Sequence, residues 1–202
     1  MLNALEKVYD VNKERKKLLE SYVRMIKKSQ ESLNLIGRST ISNIWERHII
    51  DSIQLLNYLP KEKKNSFLLD VGTGAGLPGI VLAIMGRHDV ILCEKSPKKS
   101  DFLKKVQKEL SLNYIVHNRR IEDIIIKNVS IIVSRAYASI SKIILSNFHL
   151  ISKETILVIH KGKKYMEEIK DAKKNFFFSY KKFKSITSNE SVILKIENVE
   201  KR

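Results

Sequence analysis

A single cysteine, Cys93, in 202 residues excludes an internal disulfide and a cysteine-built metal cluster. No stretch approaches the roughly eighteen uninterrupted apolar residues that a membrane helix requires. The opening "MLNALEKVYDVNKERKKLLE" mixes both charge signs and has no apolar run of the signal-peptide kind. No internal repeat or low-complexity segment interrupts the chain. These absences lead to the expectation of a soluble, cytoplasmic protein with no membrane and no metal. Acidic residues are also scarce: 22 Asp and Glu stand against 38 Lys and Arg, a formal charge of +16. The surplus predicts a polyanionic partner or acidic surface, with a plain lysine-rich composition as the lesser alternative. Length and a 43% hydrophobic content support one sizeable core, with room for a small N-terminal appendage.

Two regimes of hydrophobic pattern follow one another. From Leu2 to about Leu35, Leu18, Leu19, Tyr22, Val23 and Ile26 recur at helical spacing, and "IWERHIIDSIQLLNYL" reads as a further helix ended by Pro60. Residues 1–60 are therefore expected to form a helical segment packed on a main domain of residues 61–202, joined by the charged "PKEKKNS". Beyond it, short apolar runs alternate with amphipathic stretches. "SFLLDV", "DVILCE", "NYIVHN", "VSIIVSR" and "ETILVIHKG" read as strands. "PGIVLAIMG", stopped by Gly86, and "SPKKSDFLKKVQKELSL", with Ser96 as N-cap and Pro97 in the first turn, read as helices. The alternation predicts a doubly wound α/β domain around a mostly parallel sheet. Near the end, "FFFSYKKFKSI" and "SVILKIENV" flank "TSNE" and predict an antiparallel hairpin at one sheet edge.

Glycine is the other scarce residue, and its placement is uneven. Of seven glycines, Gly72, Gly74, Gly76 and Gly79 fall within "LLDVGTGAGLPGI". A strand that runs through a glycine turn into a helix N-terminus cradles a ligand against backbone N–H groups, at the carboxyl ends of the strands. About twenty residues on, Glu94 closes the second strand, where a carboxylate can accept both hydroxyls of a ribose. The G-x-G-x-x-G dinucleotide spacing fails, because Leu77 stands at the third position. Asp70 at the strand tip suits a cofactor that carries a cation and would repel a pyrophosphate. S-adenosylmethionine carries an ammonium and a sulfonium, so Asp70, Gly74 and Glu94 become candidate cofactor residues.

"DVGTGAGLPGI", preceded by "NLIGRSTISNIWERHIIDSI" and followed by "SRAYASI" and "HKGK", resembles the bacterial methyltransferases that modify guanine N7 in 16S (small-subunit) ribosomal RNA, also called glucose-inhibited division protein B. The resemblance covers nearly the whole chain in order. It implies a Rossmann-like S-adenosylmethionine-dependent methyltransferase fold with a seven-stranded sheet and an rRNA (guanine-N7)-methyltransferase activity. Carried over by motif, it implies that Gly72 and Leu77 contact the cofactor, that Ile121 and Glu122 meet the adenine, and that Arg135 serves the methionine end. The implied partner is small-subunit rRNA or the ribosomal subunit, bound by a monomer. "NLIGRST" departs from the threonine-containing form common in the family, and Glu94 stands where many relatives have Asp.

Guanine N7 has an in-plane lone pair and no proton, so no general base and no catalytic side chain is expected. Cys93, inside the second strand, reads as core. His48, Arg47, Asp51 and Ser52 share helix faces at four-residue spacing and are expected to pack rather than react. Lys161 could meet substrate phosphate. Lys95, Lys98, Lys99, Lys104, Lys105, Lys108, Arg119 and Arg120 form a candidate RNA surface. The residues alone also leave open a methyltransferase of another substrate, a nicotinamide enzyme, and an RNA-binding protein without catalysis.

Overall fold

The computed structural model describes Tyr9 and residues 11–202, so the first turns of the helix expected from Leu2 lie outside the described residues. The first described helix, α1 (Lys13–Leu33), buries Leu19, Tyr22, Val23, Ile26 and Gln30, one face at helical spacing. The Asn12 side chain caps its start and Asn34, in the left-handed region, ends it.

The helix expected over residues 44–59 is present but irregular. It is π-helical at Trp45–Ile50, α-helical at Asp51–Ile53 and 3-10 at Gln54–Asn57, a run referred to below as α2. The Ser52 hydroxyl donates to the His48 carbonyl at 2.6 Å, a local competition with the regular ladder. The wide π turn carries His48 and Asp51 toward the sheet.

Five strands form the parallel part of the sheet: β1 (Phe67–Val71), β2 (Val90–Cys93), β3 (Ile115–His117), β4 (Val129–Arg135) and β5 (Ile156–Lys161). The antiparallel hairpin β6 (Phe176–Lys184) and β7 (Val192–Lys201) completes it in the order β3-β2-β1-β4-β5-β7-β6. β7 pairs with β5, and β6 is the outer edge. The helices are α3 (Gly79–Ile84), α4 (Pro97–Glu109), α5 (Ile140–Asn147) and α6 (Tyr165–Ala172). Between β3 and β4 stands a single 3-10 turn at Ile121–Asp123. Ser96 precedes α4 as expected but makes no side-chain cap; its N–H is held by Glu94 instead.

Period-two burial sorts the strands onto two faces. Leu68, Leu92, Ile131, Val133 and Val158 join α1, α2, α3 and α4 in one apolar cluster. Leu69, Val71, Ile91, Ile132 and Ile159 join α5 and α6 in the other. The N-terminal helices thus share a core with one face of the sheet. The linker at residues 60–66 is tied down as well, since Arg87 donates to the Pro60 carbonyl at 2.7 Å and grips Asp89 through Nε at 3.0 Å.

One polar contact links α1 to the glycine loop: the buried Tyr22 hydroxyl donates to the Ala75 carbonyl at 2.7 Å. Tyr22→Phe keeps the ring and leaves that carbonyl without this donor. We expect a loss of about 1–2 kcal/mol in urea unfolding with an unchanged m-value; equal midpoints for the two proteins would show that the contact contributes nothing.

Candidate functional site

The loop after β1 turns with left-handed backbone at Gly72 (φ 64°) and Gly74 (φ 58°), conformations that favour glycine. A Cβ on Gly72 would lie 2.2 Å from the Tyr137 ring, whereas one on Gly74 would meet no atom closer than 4.0 Å. Gly74 therefore offers bare backbone to open space. Asp70 acts from beneath: fully buried, its Oδ2 accepts from the Thr73 hydroxyl at 2.5 Å and the Gly79 N–H at 2.7 Å. Burial pushes its pKa up to about 6, against the pull of those two bonds. Asp70 holds the loop closed and lines neither of the cavities described below, a different role from the one expected of a carboxylate at the strand tip.

Two adjoining cavities open at the carboxyl ends of the strands, on either side of the β1–β4 pair where strand order reverses. The first, about 310 Å³, brings together Gly72, Gly74, Glu94, Ile121 and Glu122, all predicted from the sequence. Glu94 is nearly buried; its Oε2 accepts from the Gly74 N–H at 3.0 Å and its Oε1 from the Ser96 N–H at 2.8 Å. Ile121 is buried and Glu122 exposed. Cys93 also lines this cavity, with burial pushing its thiol up to about 12, which leaves it an unreactive thiol.

The second cavity, about 700 Å³, is lined by the predicted Leu77 and Arg135, and by Ile36, Thr40, His48 and Lys161. Arg135 donates to the Arg47 carbonyl at 2.8 Å and to His48 Nδ1 at 2.7 Å, and stands 3.5 Å from Asp51. A guanidinium only donates, so His48 Nδ1 is an acceptor and Nε2 carries the hydrogen, given to the Thr40 hydroxyl at 2.7 Å. Thr40 in turn donates to the Gly37 carbonyl at 2.7 Å. Burial, then the Arg135 charge, lowers the His48 pKa to about 4 and keeps the ring neutral. Asp51 accepts from Gln54 at 2.8 Å and Thr187 at 2.6 Å, tying in the β6–β7 loop.

Lys161 takes a place other than the one expected: its ammonium is buried, bonded to the Ala138 carbonyl and, at 2.7 Å, to Glu168, so it braces the segment after β4. The sequence reading passed over Tyr137, which lines both cavities, and the buried His160, which donates to the Asp51 carbonyl at 2.8 Å. The available signals were the aromatic in "SRAYAS", at a strand's carboxyl end, and the histidine that opens "HKGK". Among the described residues, no group of three or more His, Cys, Asp and Glu stands close enough to hold a metal ion. Nor does any described helix have the length and apolarity to cross a membrane.

The His48 shift has a stability consequence. A histidine whose folded pKa lies below its unfolded value stabilises the fold above pH 6.5 and loses that contribution as pH falls toward about 4. His48→Asn keeps an acceptor near the Nδ1 position and cannot titrate. Unfolding free energies at pH 7 and pH 4.5 should show the wild type losing on the order of 2 kcal/mol more than the variant; parallel pH profiles would contradict the assignment.

Comparison with known proteins agrees with this architecture. The profile of the family described as rRNA small subunit methyltransferase G matches residues 15–196. A "Ribosomal RNA small subunit methyltransferase G" from Rickettsia rickettsii (strain Sheila Smith) is 40% identical over 183 residues, 91% of this chain and 94% of that protein. Its counterpart from Rickettsia massiliae is 39% identical over 194 residues, 96% of this chain and 98% of that protein. Among solved structures, the fold is similar to magnesium protoporphyrin IX methyltransferase from Synechocystis PCC 6803 with bound SAM, at TM-score 0.61 and 15% identity, covering 88% of this chain and 97% of that one. It is also similar to a ribosomal protein L11 methylase from Lactobacillus delbrueckii subsp. bulgaricus, at TM-score 0.59 and 14% identity, covering 74% and 76%. The seven-stranded sheet, the glycine loop with its two cavities, and relatives matched along nearly their full length give one conclusion: the chain belongs to the rRNA small subunit methyltransferase G family, whose members use S-adenosylmethionine.

Proposed function

We propose that this methyltransferase transfers the methyl group to N7 of a guanine in small-subunit rRNA, with the cofactor's adenosine in the first cavity and its methionine end reaching the second. The residues fit the group. Bare backbone at Gly74 permits close approach, the carboxylate of Glu94 can accept from a ribose hydroxyl beside the backbone bonds it already takes, and Ile121 with Glu122 flanks the adenine edge. Gly72 and Leu77 border the passage to the second cavity, and Arg135 supplies a fixed cation for the methionine carboxylate.

The observation that carries the choice of N7 is the state of His48. Both ring nitrogens are engaged, one by Arg135 and one by Thr40, and the ring is held neutral, so it is not poised to take a proton from a substrate. Guanine N7 has no proton to lose. Bound cofactor supplies a methyl on a sulfonium sulfur, and transfer forms the N7–carbon bond as the carbon–sulfur bond breaks, its electron pair going to sulfur. The chain's own contribution is alignment, exclusion of water and a fixed cation. The exposed Lys95, Lys98, Lys104, Lys105, Lys108, Arg119 and Arg120 around the first cavity and along α4 are suited to rRNA phosphates.

Labelled S-adenosylmethionine incubated with the protein and either small subunits or naked rRNA from a strain lacking the enzyme tests the reading. Label on guanine N7 is expected; label on another base overturns it. Arg135→Gln should lower the transfer rate at least about tenfold and weaken cofactor binding, measured by calorimetry. Affinity for the RNA should fall at least about a hundredfold between 50 and 200 mM salt, and a flat dependence would remove the lysines from the interface.

A further inference from the structure

Tyr137 lines the site, yet neither the sequence reading nor the cofactor assignment employs it. Among the described residues it is the only Phe, Tyr or Trp lining either cavity, and it lines both. Its ring packs into the space left by the missing Gly72 side chain, at the junction between the two, and remains partly exposed.

The segment that carries it is held on both sides. Arg135 is fixed by Arg47, His48 and Asp51; Ala136 takes a left-handed backbone at φ 52°; and Lys161 holds the Ala138 carbonyl. Ser139 then caps α5 through its side chain. A non-glycine residue in the left-handed region, braced by hydrogen bonds before and after, is stored strain that fixes where the next side chain points.

On the proposed function the cofactor would span this junction, so its methyl would lie near the Tyr137 ring. A nucleophile whose lone pair lies in the plane of its ring needs that plane fixed, because with no proton to move, alignment carries the rate. Aromatic side chains fix the planes of unpaired bases by stacking. We infer that the second cavity takes the target guanine and that the Tyr137 ring is the face on which it stacks, which makes Tyr137 a base-positioning residue. This rests on the proposed transfer to guanine N7.

The test separates base positioning from cofactor binding. Wild type, Tyr137→Phe, Tyr137→Leu and Tyr137→Met are compared for S-adenosylmethionine affinity without RNA and for single-turnover methyl transfer with cofactor and small subunits both saturating. The phenylalanine variant keeps the stacking face and should stay within about twofold of wild type in both. Leucine and methionine remove the π-face, and either one that folds should lose roughly 10- to 100-fold in single-turnover rate while its cofactor affinity changes less than about threefold. A non-aromatic variant at wild-type rate overturns the inference. So does a fall in rate matched by an equal fall in cofactor affinity, which would assign the ring to the cofactor. Wild type that places no label on guanine N7 overturns the underlying reading instead, and is seen before any variant is compared.

Discussion

The guanidinium of Arg135 is the interaction on which the site depends. It stands at the end of β4, where the parallel strands finish, and its partners all belong to α2: the Arg47 carbonyl, His48 Nδ1 and the Asp51 carboxylate. With the guanidinium bonded to three residues of one helical segment, that segment and the sheet edge cannot move independently without breaking charge-assisted bonds. The chain of donors continues through His48 to Thr40 and Gly37, while Asp51 also accepts from Thr187. One charge thus sets the position of the loop after α1, the π turn of α2 and the hairpin loop between β6 and β7.

The glycine loop is fixed by a second, separate set of contacts. Asp70 binds it from below, Tyr22 from α1 holds its Ala75 carbonyl, and Glu94 takes the Gly74 N–H from the neighbouring strand. Their number explains why a turn with bare backbone holds one shape: the conformational freedom that glycine brings is removed by partners on three sides. A methyltransferase that works by alignment needs such rigidity more than it needs reactive groups, and the buried thiol of Cys93 and the engaged ring of His48 fit that requirement.

Much of the fold was legible because it depends on local periodicity. The five parallel strands and the closing hairpin fall where apolar runs and turn residues put them, and Gly72 and Gly74 sit in the turn between β1 and α3 where the glycine run placed them. The readings that changed concerned what individual polar side chains bond to, which hydrophobic period does not encode. Asp70 looked available at a strand tip, yet it is buried beneath the loop, where its Oδ2 takes both Thr73 and Gly79. Lys161 looked like a phosphate ligand, yet it is committed to Ala138 and Glu168. The helix expected at residues 44–59 is present, with a π turn at Trp45–Ile50 beside the bond from the Ser52 hydroxyl to the His48 carbonyl.

The sequence by itself determined the class of fold, the place of the ligand loop and the family, since hydrophobic period, glycine spacing and the run from "NLIGRST" to "HKGK" are properties of the chain read in order. Only the tertiary structure decided which polar groups face the cavities and which are consumed in holding the scaffold. Hydrogen bonds between Arg135 and His48, 87 residues apart, or Gln54 and Ser185, 131 apart, are fixed by packing rather than by any local preference. Tyr137 belongs to this second class, because its place at the junction of the two cavities follows from a missing side chain 65 positions earlier, at Gly72.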